Sequence, residues 1–118
     1  MPEKARVFLA EDDPGWQERI KRWLGRSNHQ VILTAQTLTQ ALQEINQFEQ
    51  MGIQVAILDG NLSTFANNSD GQRLAAAIRE IAPQVKTIGL PSLGTIPGVD
   101  VDLGKARVQE VGKVVTEL

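Results

Sequence analysis

The sequence predicts an α/β fold, a parallel five-stranded sheet with helices on both faces, and three observations predict it. Val7-Phe8-Leu9-Ala10 and Val55-Ala56-Ile57-Leu58 are continuous apolar runs of strand length, the pattern of strands buried on both sides. The segments between such runs carry apolar residues at helical spacing, so strand and amphipathic helix alternate along the chain. Both runs stop at carboxylates, Glu11-Asp12-Asp13 and Asp59, which places acidic groups at the strand ends where ligands bind in sheets of this kind.

Each element has its own signal. After the first strand, Asp13 is an N-cap candidate and Pro14 suits the first helical position; Trp16, Ile20, Trp23 and Leu24 then mark one buried helix face. Val31-Ile32-Leu33 reads as a second strand, with His29 before it in a polar surface turn. Thr37-Leu38-Thr39-Gln40 offers a capping box for a helix with a stripe of Leu38, Ala41, Leu42, Ile45 and Phe48, which Gly52 ends. Asp59-Gly60 closes the third strand. A polar loop containing the sequon Asn67-Asn68-Ser69 leads to Asp70-Gly71 and a helix through Leu74, Ala77, Ile78 and Ile81, stopped by Pro83. Thr87-Ile88-Gly89-Leu90 reads as the fourth strand. Val99-Asp100-Val101-Asp102-Leu103 alternates and suits a sheet edge with one wet face, and Val108, Val111, Val115 and Leu118 mark a closing helix that Gly112 weakens by about 1 kcal/mol relative to alanine. Strands and helices in this order fit the flavodoxin-like doubly wound arrangement, sheet order 2-1-3-4-5.

Composition narrows the function classes. A length of 118 residues suits one domain spanning 1–118. With 12 basic and 14 acidic side chains, formal charge -2, the chain offers no broad cationic surface to nucleic acid or anionic lipid. Cysteine is absent, which removes disulfides and thiolate chemistry, and the single histidine cannot build a structural zinc site. The amino-terminal residues do not read as a secretory signal and no apolar run reaches the roughly 18 residues of a membrane helix, so a cytoplasmic address with no membrane partner is expected.

Three carboxylates at neighbouring strand ends repel one another unless a cation compensates. All-oxygen ligation suits magnesium, or manganese in its place. Asp59 is then placed to attack a phosphoryl donor, with the metal and a lysine, Lys105, absorbing the charge on the transferred oxygens. Acidic residues after a buried strand also serve as plain helix caps, and Asp-Gly is a good turn dipeptide by itself.

At Val7–Pro14, Val55–Asp59, Asp70-Gly71 and Gly98–Lys105 the sequence resembles, in order and over essentially its whole length, the receiver domain of two-component response regulators. The resemblance implies that Asp59 is the phosphorylated aspartate, that Asp12 ligates the metal directly and that Glu11 acts through metal-bound water. It further implies that Asn61 offers its backbone carbonyl to the metal and that Lys105 pairs with the phosphoryl oxygens. The implied partners are a histidine kinase or small phosphodonor and an output protein.

The sequence also departs from that family. Where a threonine or serine usually ends the fourth strand this chain has Pro91, and Ser92 is the candidate hydroxyl if the loop shifts by one position. Asp102 stands where the family has an aromatic. Only Leu93-Gly94-Thr95-Ile96-Pro97 lie between Ser92 and Gly98, too few for a helix of about 8 residues, so the fourth helix of the family is expected to be short or absent. The loop from Gly60 to Asp70 is longer than usual by about four residues. These departures support a second function, a pseudo-receiver that acts as a phosphorylation-independent interaction module. A metal-assisted hydrolase would need an additional acid-base group near Asp59, and none is evident.

Overall fold

The computed structural model describes residues 4–62 and 68–118. The expected parallel sheet forms, with β1 (Arg6–Ala10), β2 (Gln30–Ala35), β3 (Val55–Leu58), β4 (Lys86–Gly89) and β5 (Val101–Asp102) in the order β2-β1-β3-β4-β5. Alternation along the strands splits the core in two. Phe8, Ala10, Ala56 and Leu58 point to the face covered by α2 (Leu38–Glu44), α3 (Phe48–Met51) and α4 (Ser69–Ile81). Val7, Leu9, Val55 and Ile57 point to the face covered by α1 (Pro14–Arg26) and α5 (Val111–Glu117). The Phe8 and Phe48 rings meet at 4.9 Å between centroids on the first face, tilted by 54°. Among the described residues, no helix is long and apolar enough to cross a membrane.

The caps read from sequence form. Asp13 Oδ1 accepts from Gly15 N at 3.0 Å. Thr37 Oγ1 accepts from Gln40 N at 3.1 Å, while the Gln40 side chain reaches back to Gln36 N at 2.9 Å, one residue before the position a standard capping box would satisfy. The second helical segment is broken rather than continuous: a 3₁₀ turn, Ile45–Gln47, separates α2 from α3, and Gly52 ends it in the left-handed conformation at φ 68°.

Four expectations need correction. Ile81 does not belong to the buried stripe; it is the last residue of α4 and is 52% exposed. Trp23 is only half buried, its ring covered by the Arg26 guanidinium at 4.4 Å. The last strand is shorter than the 99–103 run, just Val101–Asp102; it does lie at the sheet edge with Asp100 and Asp102 on the exposed side, where Asp100 Oδ2 accepts from Thr87 N at 2.8 Å and Asp102 Oδ2 from Ile96 N at 2.9 Å. His29 is buried. Its Nδ1 accepts from Ala5 N at 3.0 Å, and Nε2 lies 3.2 Å from Gly112 O and 2.8 Å from Thr116 Oγ1, so a neutral ring donating from Nε2 ties the start of β1 to α5.

Burial pulls the His29 pKa below its usual value, outweighing the Gly112 carbonyl that would raise it. A depressed histidine adds stability above its unfolded pKa and loses it as pH falls through the folded one. His29→Leu, which leaves Ala5 N without a partner, is expected to cost about 1–3 kcal/mol at neutral pH. Urea denaturation of both proteins should show that gap narrowing as pH drops below 6.5.

The expected loss of a helix is visible between β4 and β5. Residues 90–100 form no helix, although parallel strands are usually joined by one. The crossover is held by side chains instead. Ile96 is buried at 2% exposure and contributes the apolar contact a helix would supply, its N–H fixed by Asp102. Arg79 Nη2 donates to Gly98 O at 2.6 Å, and Gly94 and Gly98 turn the chain at φ 72° and 93°. Asn67 of the sequon and the middle of the long loop, 63–67, lie outside the described residues.

Candidate acidic site at the strand carboxyl ends

Parallel strands β1 and β3 are neighbours in register, Ala10 opposite Leu58, so the residues that follow them emerge side by side at one edge of the sheet. Asp59 N donates to Ala10 O at 2.9 Å and Glu11 N to Ala35 O at 3.0 Å, which continues the ladder past the strand ends and fixes where both carboxylates start. Glu11 and Asp59 are 1% and 4% exposed, whereas Asp12 is exposed at the rim. One carboxylate oxygen from each of Glu11, Asp12 and Asp59 lies within 4.8 Å of the others.

Lys105 is the cation of the site. Gly104, at φ 82°, turns the chain out of β5, and Lys105 N donates to Pro91 O at 2.9 Å, which aims the side chain back over the strand ends. Its Nζ hydrogen-bonds Asp59 Oδ1 at 3.2 Å and lies 2.9 Å from Glu11 Oε1. One ammonium thus serves as ion-pair partner to both buried carboxylates. Trp16 borders the site, with Lys105 Nζ 5.2 Å from its ring centre.

The charges do not balance. Burial first, and the Asp59 charge second, raise the Glu11 pKa from 4.5 to about 8, a rise that Lys105 only partly opposes. Burial likewise raises Asp59, against the pull of Lys105. Burial alone would lower Lys105, but Glu11 and Asp59 together outweigh it and raise it. The donor set therefore fits a hard divalent cation. It offers three carboxylates, two of them buried, against a single lysine, which leaves negative charge for a cation to neutralise.

A raised carboxylate stabilises the fold below its unfolded pKa and loses that contribution as pH rises through the folded pKa. Metal-free protein is thus expected to lose stability between pH 4.5 and about 8 through Glu11. Denaturation in EDTA across that range should show the slope, Glu11→Gln should flatten it, and magnesium should oppose it most at the alkaline end.

The remaining predicted residues divide. Asn61 is half buried two positions after Asp59, and its side chain is engaged with Asn68, accepting from Asn68 N at 2.9 Å. Pro91 is buried and Ser92 is exposed on the crossover; no hydrogen bond joins Ser92 to Asp59 among the described residues. Asn68, which sequence reading passed over as loop, is 6% exposed and left-handed at φ 62°. Its signal was its type, since asparagine tolerates that conformation better than other non-glycine residues. Gly71 packs so closely beneath the site that a Cβ there would stand 2.8 Å from Asp59 O.

No protein-family model matches the chain, and no curated protein matches it. Solved structures do match. A CheY-like response regulator receiver domain protein from Methanospirillum hungatei superposes with a TM-score of 0.76 at 19% identity, over 96% of this chain and 91% of that one. The response regulator domain of Thermotoga maritima CheB gives 0.73 at 15% identity, over 96% and 91%. CheY from Borrelia burgdorferi, solved in a complex with CheX, BeF3 and magnesium, gives 0.73 at 19% identity, over 94% and 89%. The chain has the fold of a response regulator receiver domain.

Proposed function

We propose that the chain is a phosphoacceptor signalling domain, phosphorylated on Asp59 in a magnesium-dependent reaction, and not a metabolic enzyme. The observation that carries this reading is the meeting of Glu11, Asp12 and Asp59 oxygens within 4.8 Å, with Lys105 Nζ 3.2 Å from the Asp59 oxygen. The fold is shared with receiver domains, one of them solved with BeF3 and magnesium. Asp12 and Asp59 would hold the cation directly, Glu11 through its water, and Asn61 through its backbone carbonyl. A divalent cation, magnesium or manganese, supplies neutralisation of the phosphoryl oxygens and favours the ionised Asp59.

An ionised Asp59 oxygen attacks the phosphorus of a phosphohistidine or an acyl phosphate donor. A new O–P bond forms, the bond from phosphorus to the donor nitrogen or oxygen breaks, and the donor leaves with that electron pair. Lys105 stays protonated, its pKa raised by Glu11 and Asp59, and neutralises charge on the transferred oxygens. The product is an acyl phosphate that a protein partner reads.

A second reading, an interaction module that needs no phosphorylation, is favoured by buried Pro91 where a hydroxyl would stand and by the exposed position of Ser92. Titration with beryllium fluoride in the presence of magnesium, followed by tryptophan fluorescence and amide NMR shifts, separates the two. Saturable changes that need both reagents and vanish in Asp59→Asn are expected of a phosphoacceptor. An inert site would leave only the interaction module.

A further inference from the structure

A receiver that has neither a hydroxyl at the end of β4 nor a helix after it still needs a physical link between Asp59 and its surface, and a link of a different kind is built into this chain. Asn68 stands between the acceptor loop and the rebuilt crossover. On one side its backbone N donates to Asn61 Oδ1 at 2.9 Å, and its Oδ1 lies 3.4 Å from Asn61 Nδ2. On the other side its Nδ2 donates to Leu93 O at 2.8 Å and to Thr95 O at 3.0 Å, so one amide group spends both hydrogens on the segment that replaces the helix.

The space around this side chain is shaped to fit it. A Cβ on Gly60, the residue after the acceptor, would collide with the Asn68 side chain, and one on Gly94 would stand 3.2 Å from its Nδ2. Asn68 is thus clamped between the residue after Asp59 and the tip of the crossover. Beyond the clamp, Leu93 is 85% exposed, the most exposed large apolar side chain among the described residues, whereas Ile96 is buried and anchored by Asp102. The Leu93–Thr95 segment is thus held through its own carbonyls by the Asn68 amide and, just past its end, by Ile96.

We infer that Asn68 is a positioning residue that couples the state of the Asp59 site to the Leu93–Thr95 segment, in place of a hydroxyl relay through the end of β4. This rests on the phosphoacceptor reading above. Binding of a phosphoryl group or its mimic at Asp59 reorders Gly60 and Asn61; Asn61 pulls on Asn68, and Asn68 carries the shift to the Leu93 and Thr95 carbonyls. Ser92, exposed and one residue before Leu93, needs no direct contact with the phosphoryl group.

The test is amide NMR of the 118-residue chain with magnesium and beryllium fluoride, on wild type, Asn68→Gly and Asn68→Asp. Asn68→Gly tolerates the left-handed backbone and removes the whole side chain. Asn68→Asp keeps a side chain suited to that backbone and removes both donors. In the wild type, shifts are expected at Gly60 and Asn61 and also at Leu93, Gly94 and Thr95. In either variant the first group should persist and the second should be lost. Equal shifts at Leu93–Thr95 in a variant overturn the coupling, as does a silent Leu93–Thr95 segment in the wild type while Gly60 and Asn61 respond. Silence at Gly60 and Asn61 in the wild type overturns the phosphoacceptor reading itself and the coupling with it. Should both variants fail to fold, Asn61→Ala, which removes the oxygen that accepts from Asn68 N, tests the same link: loss of the Leu93–Thr95 shifts is expected, and their persistence overturns the coupling.

Discussion

Replacement of Lys105 by methionine is expected to cost about 3 kcal/mol of stability in EDTA at mildly alkaline pH, because it leaves Glu11 and Asp59 buried without their cation. Methionine keeps an unbranched apolar stem of similar length and gives up only the ammonium, including its place 5.2 Å from the Trp16 ring centre, so the loss chiefly reports charge. Its pH dependence follows from the same groups. As pH falls the two carboxylates protonate, Glu11 more readily than in the wild type because the Lys105 contact that lowers its pKa is gone, and the penalty shrinks. Magnesium at a hundredfold excess over its dissociation constant should return about 2.7 kcal/mol, enough to offset most of the loss. Urea denaturation of both proteins with EDTA or magnesium, near neutrality and at alkaline pH, checks all three statements. A variant as stable as the wild type in EDTA at alkaline pH would mean that the carboxylates are not held ionised in the fold.

Asp59→Asn is expected to abolish phosphoryl acceptance outright, since the amide lacks the nucleophilic oxygen and Glu11 and Asp12 are assigned to the cation. The same change should stabilise metal-free protein by about 1 kcal/mol near pH 8, because a buried like charge next to Glu11 disappears. Lys105 then faces a single buried carboxylate, at 2.9 Å. Loss of acceptance with gain of stability separates a functional aspartate from a structural one, whose removal would cost stability. Phosphate transfer from a small donor and urea denaturation of the same preparations measure the two halves.

The sheet was legible because β1 and β3 are buried on both faces, which leaves uninterrupted apolar runs of strand length that stop at turn-forming acidic residues. The acidic site was legible for a related reason. In a parallel sheet, residues just after adjacent strands share one edge, so Glu11, Asp12 and Asp59 had to meet once the strands were identified. Lys105 was harder, as its arrival depends on Gly104 and on the bond from its backbone N to Pro91 O.

What escaped was long-range and polar. His29 bonds across the sheet edge to Gly112 and Thr116, and nothing in its neighbouring residues announces those partners. Asp102 looked like a lost aromatic in a wet strand, but it holds Ile96 N and so belongs to the crossover that replaces a helix. Asn68 looked like one polar loop residue among several, and only the fold shows Gly60 and Gly94 leaving room for it. Hydrophobic periodicity identifies elements; single side-chain bonds between distant loops carry no period.

The central claim, a phosphoryl group carried on Asp59 with the help of a divalent cation, is tested most directly by intact-mass analysis after incubation with acetyl phosphate. With magnesium present, a single adduct of about 80 Da is expected, absent in EDTA, absent in Asp59→Asn, and removed by hydroxylamine as an acyl phosphate would be. An adduct that persists in Asp59→Asn or resists hydroxylamine, or no adduct from the magnesium-loaded wild type, would contradict the account.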